Sequence, residues 1–156
     1  MLKYLAVFLI SMVPLVELRL AVPFAIGIGI DYIPALIIGV LGNMIPVPFI
    51  YFFARRFLAW GTRKKKIGKI CKFFLVKGEQ AGHRLMSKTG RYGLFIALVM
   101  FVGIPIPGTG AWTGALAASC LDMGFKPTVL SVSLGVVLAG VIMAVASALG
   151  LHIFGL

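Results

Sequence analysis

The chain offers two apolar stretches long enough to cross a lipid bilayer, while two further apolar regions are each cut near the middle. A crossing takes about 20 apolar residues, since a hydrocarbon core of roughly 30 Å is spanned at about 1.5 Å per residue. Residues 32–54 reach that length, interrupted by Asn43, Pro46 and Pro48, and residues 128–156 reach it without a single charge. The arms 4–13 and 20–30, separated by Pro14–Arg19, fall well short, as do 92–104 and 111–121, separated by Pro105–Gly110. Arms of this length predict re-entrant helical hairpins, which enter the bilayer and return to the same face. Composition agrees, because 61% hydrophobic residues and a mean hydropathy of +1.09 exceed what a soluble domain can bury.

The order hairpin then span occurs twice. Asp31 precedes Pro34 and Asp122 precedes Pro127, and in each half a glycine follows eight residues after that proline, at Gly42 and Gly135. A returning hairpin plus one crossing leaves the chain on the opposite side, so the second copy must enter from the other face. The expected architecture is an all-α integral membrane protein with an inverted repeat, a single membrane domain over 1–156. Its first repeat is 1–54 (hairpin 4–30, span 32–54) and its second is 92–156 (hairpin 92–121, span 128–156). The short apolar N-terminus has a charged start at Lys3 but no small-residue cleavage pattern, and is expected to stay in the mature protein.

Between the halves lies a basic linker, 55–91. It carries 12 of the 15 Lys and Arg residues and one acid, Glu79, so the net charge of +11 resides there and the rest of the chain is neutral. That asymmetry is the positive-inside signature of a cytoplasmic loop and excludes nucleic acid as the reason for the charge. It places a multi-pass protein in the plasma membrane with both termini outside. Ile67, Ile70, Cys71 and Phe74 share one helical face, with Lys65, Lys66, Lys69, Lys72 and Lys77 around the remainder, so the linker is expected to lie on anionic lipid headgroups. A solvated tether is the plainer alternative. On the last span, Ser131, Gly135 and Ala139 form one line of small residues and Gly140, Ala144 and Ala148 another, as close helix packing requires.

Glu17 and Arg19 sit within the first hairpin, where an unpaired ion costs several kcal/mol in order of magnitude. Two readings stand: a structural ion pair that pins the hairpin, or a functional pair in which Glu17 takes a proton or cation and Arg19 attracts an anion. Pro105, Pro107, Gly108, Thr109 and Gly110 end one arm and free the backbone before the next. Thr109 can cap an arm starting near Ala111, directing the positive end of that half-helix at the membrane midplane, where anionic groups are favoured. A tight turn with no ligand is the alternative there. Trp112 and Thr113 follow on the same arm, and Asn43 is a lone polar group suited to an interhelical hydrogen bond. Trp60, Tyr92 and Trp112 also suit interfacial anchoring, and Asp31 and Asp122 suit hairpin ends at the headgroups. Cys71, Cys120, His83 and His152 have no metal-ligand or catalytic company. No cofactor-binding loop, catalytic triad or carboxylate pair stands out, so neither a cofactor nor enzymatic activity is expected.

The strings Pro14-Leu-Val-Glu-Leu-Arg-Leu-Ala-Val-Pro23 and Gly103-Ile-Pro-Ile-Pro-Gly-Thr-Gly-Ala-Trp-Thr-Gly114 resemble the small multi-drug export protein family. That family looks like a short relative of the DedA and VTT membrane proteins, whose fold pairs re-entrant hairpins with spans in inverted arrangement. Gly42, Pro46, Tyr51 and Arg55 fall at the positions of the DedA glycine, aliphatic, aromatic and basic residues, with proline in the aliphatic place. The resemblance implies proton-coupled transport or the movement of phospholipids or polyprenyl phosphates between leaflets. It would make Glu17 the proton-coupled acid, Arg19 and Arg55 anion contacts, and the break at Thr109 a polar lining. A secondary transporter is therefore the leading expectation, with a lipid flippase, a non-transporting scaffold and an intramembrane lipid enzyme as the other readings. Two spans and two hairpins make a thin wall for a pathway, which favours a homodimer.

Overall fold

The computed structural model describes residues 2–14, 16–64, 68–106 and 109–153. Among these, every regular element is a helix. The first hairpin pairs α1 (Leu2–Met12) with α2 (Glu17–Gly27), and a rod follows, made of α3 (Tyr32–Met44) and α4 (Pro46–Gly61). Then come α5 (Gly68–Gly103), α6 (Ala111–Cys120) and the long α7 (Phe125–Ile153).

Three boundaries differ from those read in the sequence. The first hairpin turns more tightly, because the Glu17 N–H closes onto the Val13 carbonyl at 2.9 Å, so Glu17 and Arg19 open α2 rather than lie in the break. The rod runs past residue 54 to Gly61, since Arg55 and Arg56 are good helix formers and only the glycine stops the turn. It is interrupted at Ile45, whose angles stay helical (φ −59, ψ −45); the hydrogen-bond ladder fails there because Pro46 has no N–H to give. The linker, finally, is not a loop. Helix α5 occupies most of it, with one non-helical residue, Gly90 (φ 69, ψ −176), separating 68–89 from the arm 91–103. Of the apolar face expected there, Ile67 and the side chains of Ile70, Cys71 and Phe74 lie outside the described residues.

Length sorts the helices into two classes. Helices α1, α2 and α6 have 11, 11 and 10 residues, about 15–17 Å of rise and half a hydrocarbon core. Tyr32–Gly61 and Phe125–Gly150, at 30 and 26 residues with mean hydropathies of 2.0 and 2.6, are long and apolar enough to cross. Their outward faces are apolar and uncovered, with Phe49 at 72% and Leu130 at 59% exposure. In water each such side chain would forgo about 1.5–3 kcal/mol of burial, a cost that lipid removes. The chain is an all-helical membrane protein.

In each half the first arm, the second arm and the following span pack together, and α2 and α6 then reach across, α2 onto α7 and α6 onto α4. Small residues permit the closest contacts. A Cβ on Gly42 would strike Ser11 and the Phe8 carbonyl; a Cβ on Gly135 would come within 2.9 Å of the Val99 carbonyl and 2.7 Å of Val102. Gly140 presses in the same way on Leu36 and Leu18. Both hairpins also end alike. Gly29 (φ 80) and Asp122 (φ 56) adopt left-handed geometry, with Ile30 N–H on the Ala25 carbonyl at 2.9 Å and Met123 N–H on the Ala118 carbonyl at 3.0 Å. One sequence offset relates Gly29 to Asp122, Pro34 to Pro127 and Gly42 to Gly135.

Candidate functional site

The tips of the two hairpins meet, and the meeting is chemical. Glu17 opens α2 in left-handed geometry (φ 48), uncommon for a residue with a side chain, and is 5% exposed. Its carboxylate reaches the first turn of α6, where Oε1 accepts the Trp112 N–H at 3.3 Å. That N–H is one of the orphan donors of a helix start, normally satisfied by a side chain at the residue before the helix. Here that residue is Gly110, which has no side chain to offer, so Glu17 caps α6 from the other hairpin. The negative carboxylate against the positive helix end adds electrostatic attraction. Glycine permits the approach, because a Cβ at Gly110 would overlap the Glu17 carboxylate and displace it.

Arg19 binds the other side of the same break. Its Nη1 donates to the Ile106 carbonyl, and Nη2 donates to the Ile104 carbonyl at 3.3 Å and to Thr109 Oγ1 at 2.8 Å. These carbonyls lie just past the C-terminal end of α5, where a cation is favoured. A planar fork reaching several acceptors is a task for arginine rather than lysine. Glu17 and Arg19 also attract one another, yet each finds its hydrogen bonds on the second hairpin.

This arrangement corrects two expectations. Thr109 does not cap α6; its hydroxyl is within hydrogen-bond reach of the Ile104 and Ile106 carbonyls, at 3.0 and 2.9 Å, and accepts from Arg19. The Gly110 N–H is instead taken by Thr113 Oγ1 at 2.8 Å. Nor does Asn43 make an interhelical hydrogen bond. It is 2% exposed in α3 and its Oδ1 has no partner among the described residues.

Beside the two tips opens a cavity of about 560 Å³. Glu17, Arg19, Thr109, Gly110, Trp112 and Thr113 line its polar end, and Asn43 and Pro105 are not part of its lining. Trp112 turns toward it with a buried Nε1 that has no acceptor among the described residues, an arrangement unlike that of an interfacial anchor. The Arg55 side chain, Pro107 and Gly108 lie outside the described residues. The apolar wall was missed in the sequence: Ile50, Phe53, Ala54 and Phe57 from α4, with Leu116 and Cys120 from α6. Its signal was present, since the four α4 residues recur at helical spacing on one face. Tyr51 ties that wall to the second hairpin, its hydroxyl donating to the Met123 carbonyl at 2.6 Å while its own carbonyl accepts from Ser119 Oγ at 2.9 Å. Among the described residues no three His, Cys, Asp or Glu side chains converge on a point.

Fold and site together define a membrane protein whose two helical hairpins meet at a mostly apolar cavity with one acid and one base at its end. The family model for small multi-drug export proteins matches residues 17–142, and the chain belongs to that family. No curated protein and no solved structure matches the chain.

Proposed function

We propose that the protein is a secondary transporter of the plasma membrane, coupled to protons through Glu17, with the cavity between the hairpin tips as its substrate site. The single observation that carries this reading is the Glu17 carboxylate serving as the cap of α6 at the end of a drug-sized apolar cavity. Protonation would remove the charge that holds Glu17 at the helix start and loosen the link between the hairpins. Arg19 from the same helix and Cys120 from α6 are the other ionisable groups among the lining residues. The family description adds export as the direction.

In this reading α1–α2 and 91–103 with α6 are re-entrant hairpins, supported by helices too short to cross and by the matched hairpin ends. The common offset of Gly29, Pro34 and Gly42 from Asp122, Pro127 and Gly135 supports an inverted repeat. The basic segment is cytoplasmic, and a second copy completes the wall beside Phe53 and Phe57, both exposed at the cavity edge.

A flippase for anionic lipid, of the DedA type, is the second reading. The Arg19 guanidinium among the lining residues favours it, since it is a donor suited to a phosphate. The test is flux in proteoliposomes under an imposed pH gradient, comparing fluorescent cationic drugs with a labelled polyprenyl phosphate. Drug flux that disappears in Glu17→Gln is the expected result, and lipid-phosphate flux moves the assignment to a flippase. No gradient-dependent flux of either leaves a scaffold.

A further inference from the structure

The amino-terminal half of α5 presents a second, separate surface. Lys69, Lys72, Phe73, Val76, Lys77 and Gln80 follow one another at helical spacing and line a shallow hollow of about 380 Å³. All six are exposed, Phe73 at 58%. The lining of that hollow therefore holds three ammonium groups, two apolar side chains and an amide, with no carboxylate among the described residues. A helix face designed for water would interleave acids with its lysines at the neighbouring turn, but between Arg55 and Arg91 the sequence supplies only Glu79.

Placement restricts what this face can meet. The rod ends at Gly61, and Lys64 Nζ lies 4.8 Å from the centre of the Trp60 ring. Tryptophan beside lysine is the usual composition where hydrocarbon gives way to headgroups. The start of α5 touches the residues just past the rod: the Gly68 N–H bonds to the Lys64 carbonyl at 2.7 Å, and a Cβ on Gly68 would sit 2.7 Å from the Thr62 carbonyl. At the far end Gly90 breaks the helix before the apolar arm 91–103, so 68–89 is joined to an apolar element at both ends.

We infer that the face made by Lys69, Lys72 and Lys77 with Phe73 and Val76 binds anionic phospholipid, the ammonium groups on the phosphodiester and the two apolar side chains against the upper acyl chain. Lysine suits this geometry because its alkyl stem lies along apolar surface while its head stays at the phosphate. Free phosphate would have no use for Phe73 and Val76. The site is distinct from the transport cavity and does not depend on how that cavity is read.

The experiment uses the full chain in nanodiscs of equal phosphatidylcholine and phosphatidylglycerol, with Phe73→Trp as reporter and the parent protein subtracted for Trp60 and Trp112. One lipid or the other carries bromine on its upper acyl chain. Brominated phosphatidylglycerol is expected to quench the reporter at least about threefold more than brominated phosphatidylcholine at ordinary salt, and the preference to shrink in 1 M NaCl. Each lysine near an anionic surface contributes roughly a fivefold preference, so Lys69→Gln, Lys72→Gln and Lys77→Gln together should equalise the two lipids. Equal quenching in the starting protein, absence of quenching by either lipid, or a preference that survives the triple substitution overturns the inference. Tight binding of a single-stranded oligonucleotide by the same face in pure phosphatidylcholine, lost in the triple variant, would overturn it in favour of nucleic acid.

Discussion

The two hairpin breaks solve the same problem with opposite means. The first is short, turns on the left-handed Glu17, and sends out a carboxylate and a guanidinium; the second is longer, built from prolines and glycines, and offers the bare start of α6 and a set of carbonyls. Glu17 and Gly110 stand at the offset that also relates Gly42 to Gly135, so the giver and the receiver of the carboxylate hold corresponding positions in the two halves. The carboxylate at one position sits where a Cβ at the other would displace it. The halves therefore end in matched turns and differ in chemistry at their tips. A buried carboxylate that caps a helix in another hairpin joins stability to protonation state, as the proposed coupling would require.

The sharpest way to break this comparison is to fill the receiver. Gly110→Ala should destabilise the protein by about 2–3 kcal/mol, through overlap with the Glu17 carboxylate, and abolish flux. Reversible unfolding in mixed micelles measures it, and in a Glu17→Ala background the same substitution should cost less than about 0.5 kcal/mol; an unchanged cost there would show that the carboxylate is not what Gly110 accommodates. Next in size is Arg19→Lys, which keeps the charge and loses the fork to Ile104, Ile106 and Thr109, at about 1–2 kcal/mol by the same assay.

A smaller effect on stability and a large one on transport separate the two roles of the acid. Glu17→Gln can still accept the Trp112 N–H, so it should lose only about 0.5–1 kcal/mol, the attraction of a charge to the helix end. Its gradient-driven flux should nevertheless vanish; flux at the starting level would remove Glu17 from the coupling. Smallest is Gly29→Asp, which copies Asp122 into the first half. With nothing within 4 Å of the added Cβ, it should cost about 0.5–1 kcal/mol in micelle unfolding, from backbone geometry alone.

Much of the fold was readable because it depends on local quantities. The lengths of the apolar runs separate the two rods from the short helices, and the prolines and glycines after Gly103 mark the second break. The limits of that reading are local too: nothing in Pro14–Arg19 says that the chain can turn by Glu17, since a left-handed glutamate is held only by what its side chain reaches. The residues of the polar cavity end, Glu17, Arg19, Thr109, Gly110, Trp112 and Thr113, were identifiable as types out of place in an apolar arm. Their pairing was not, and the α4 wall carries no polar residue to mark it.

The sequence by itself determined a helical membrane protein with two rods long and apolar enough to cross, two interrupted arms and a charge surplus confined between them, because hydrophobic length and charge position act on each segment independently. Only the tertiary structure decided that Glu17 caps a helix whose donating N–H lies 95 residues away, that Arg19 holds the carbonyls at the other side of the same break, and that a cavity opens beside them. Those contacts exist because two short helices cannot satisfy their own ends, and in an apolar setting the missing partners must come from another part of the chain.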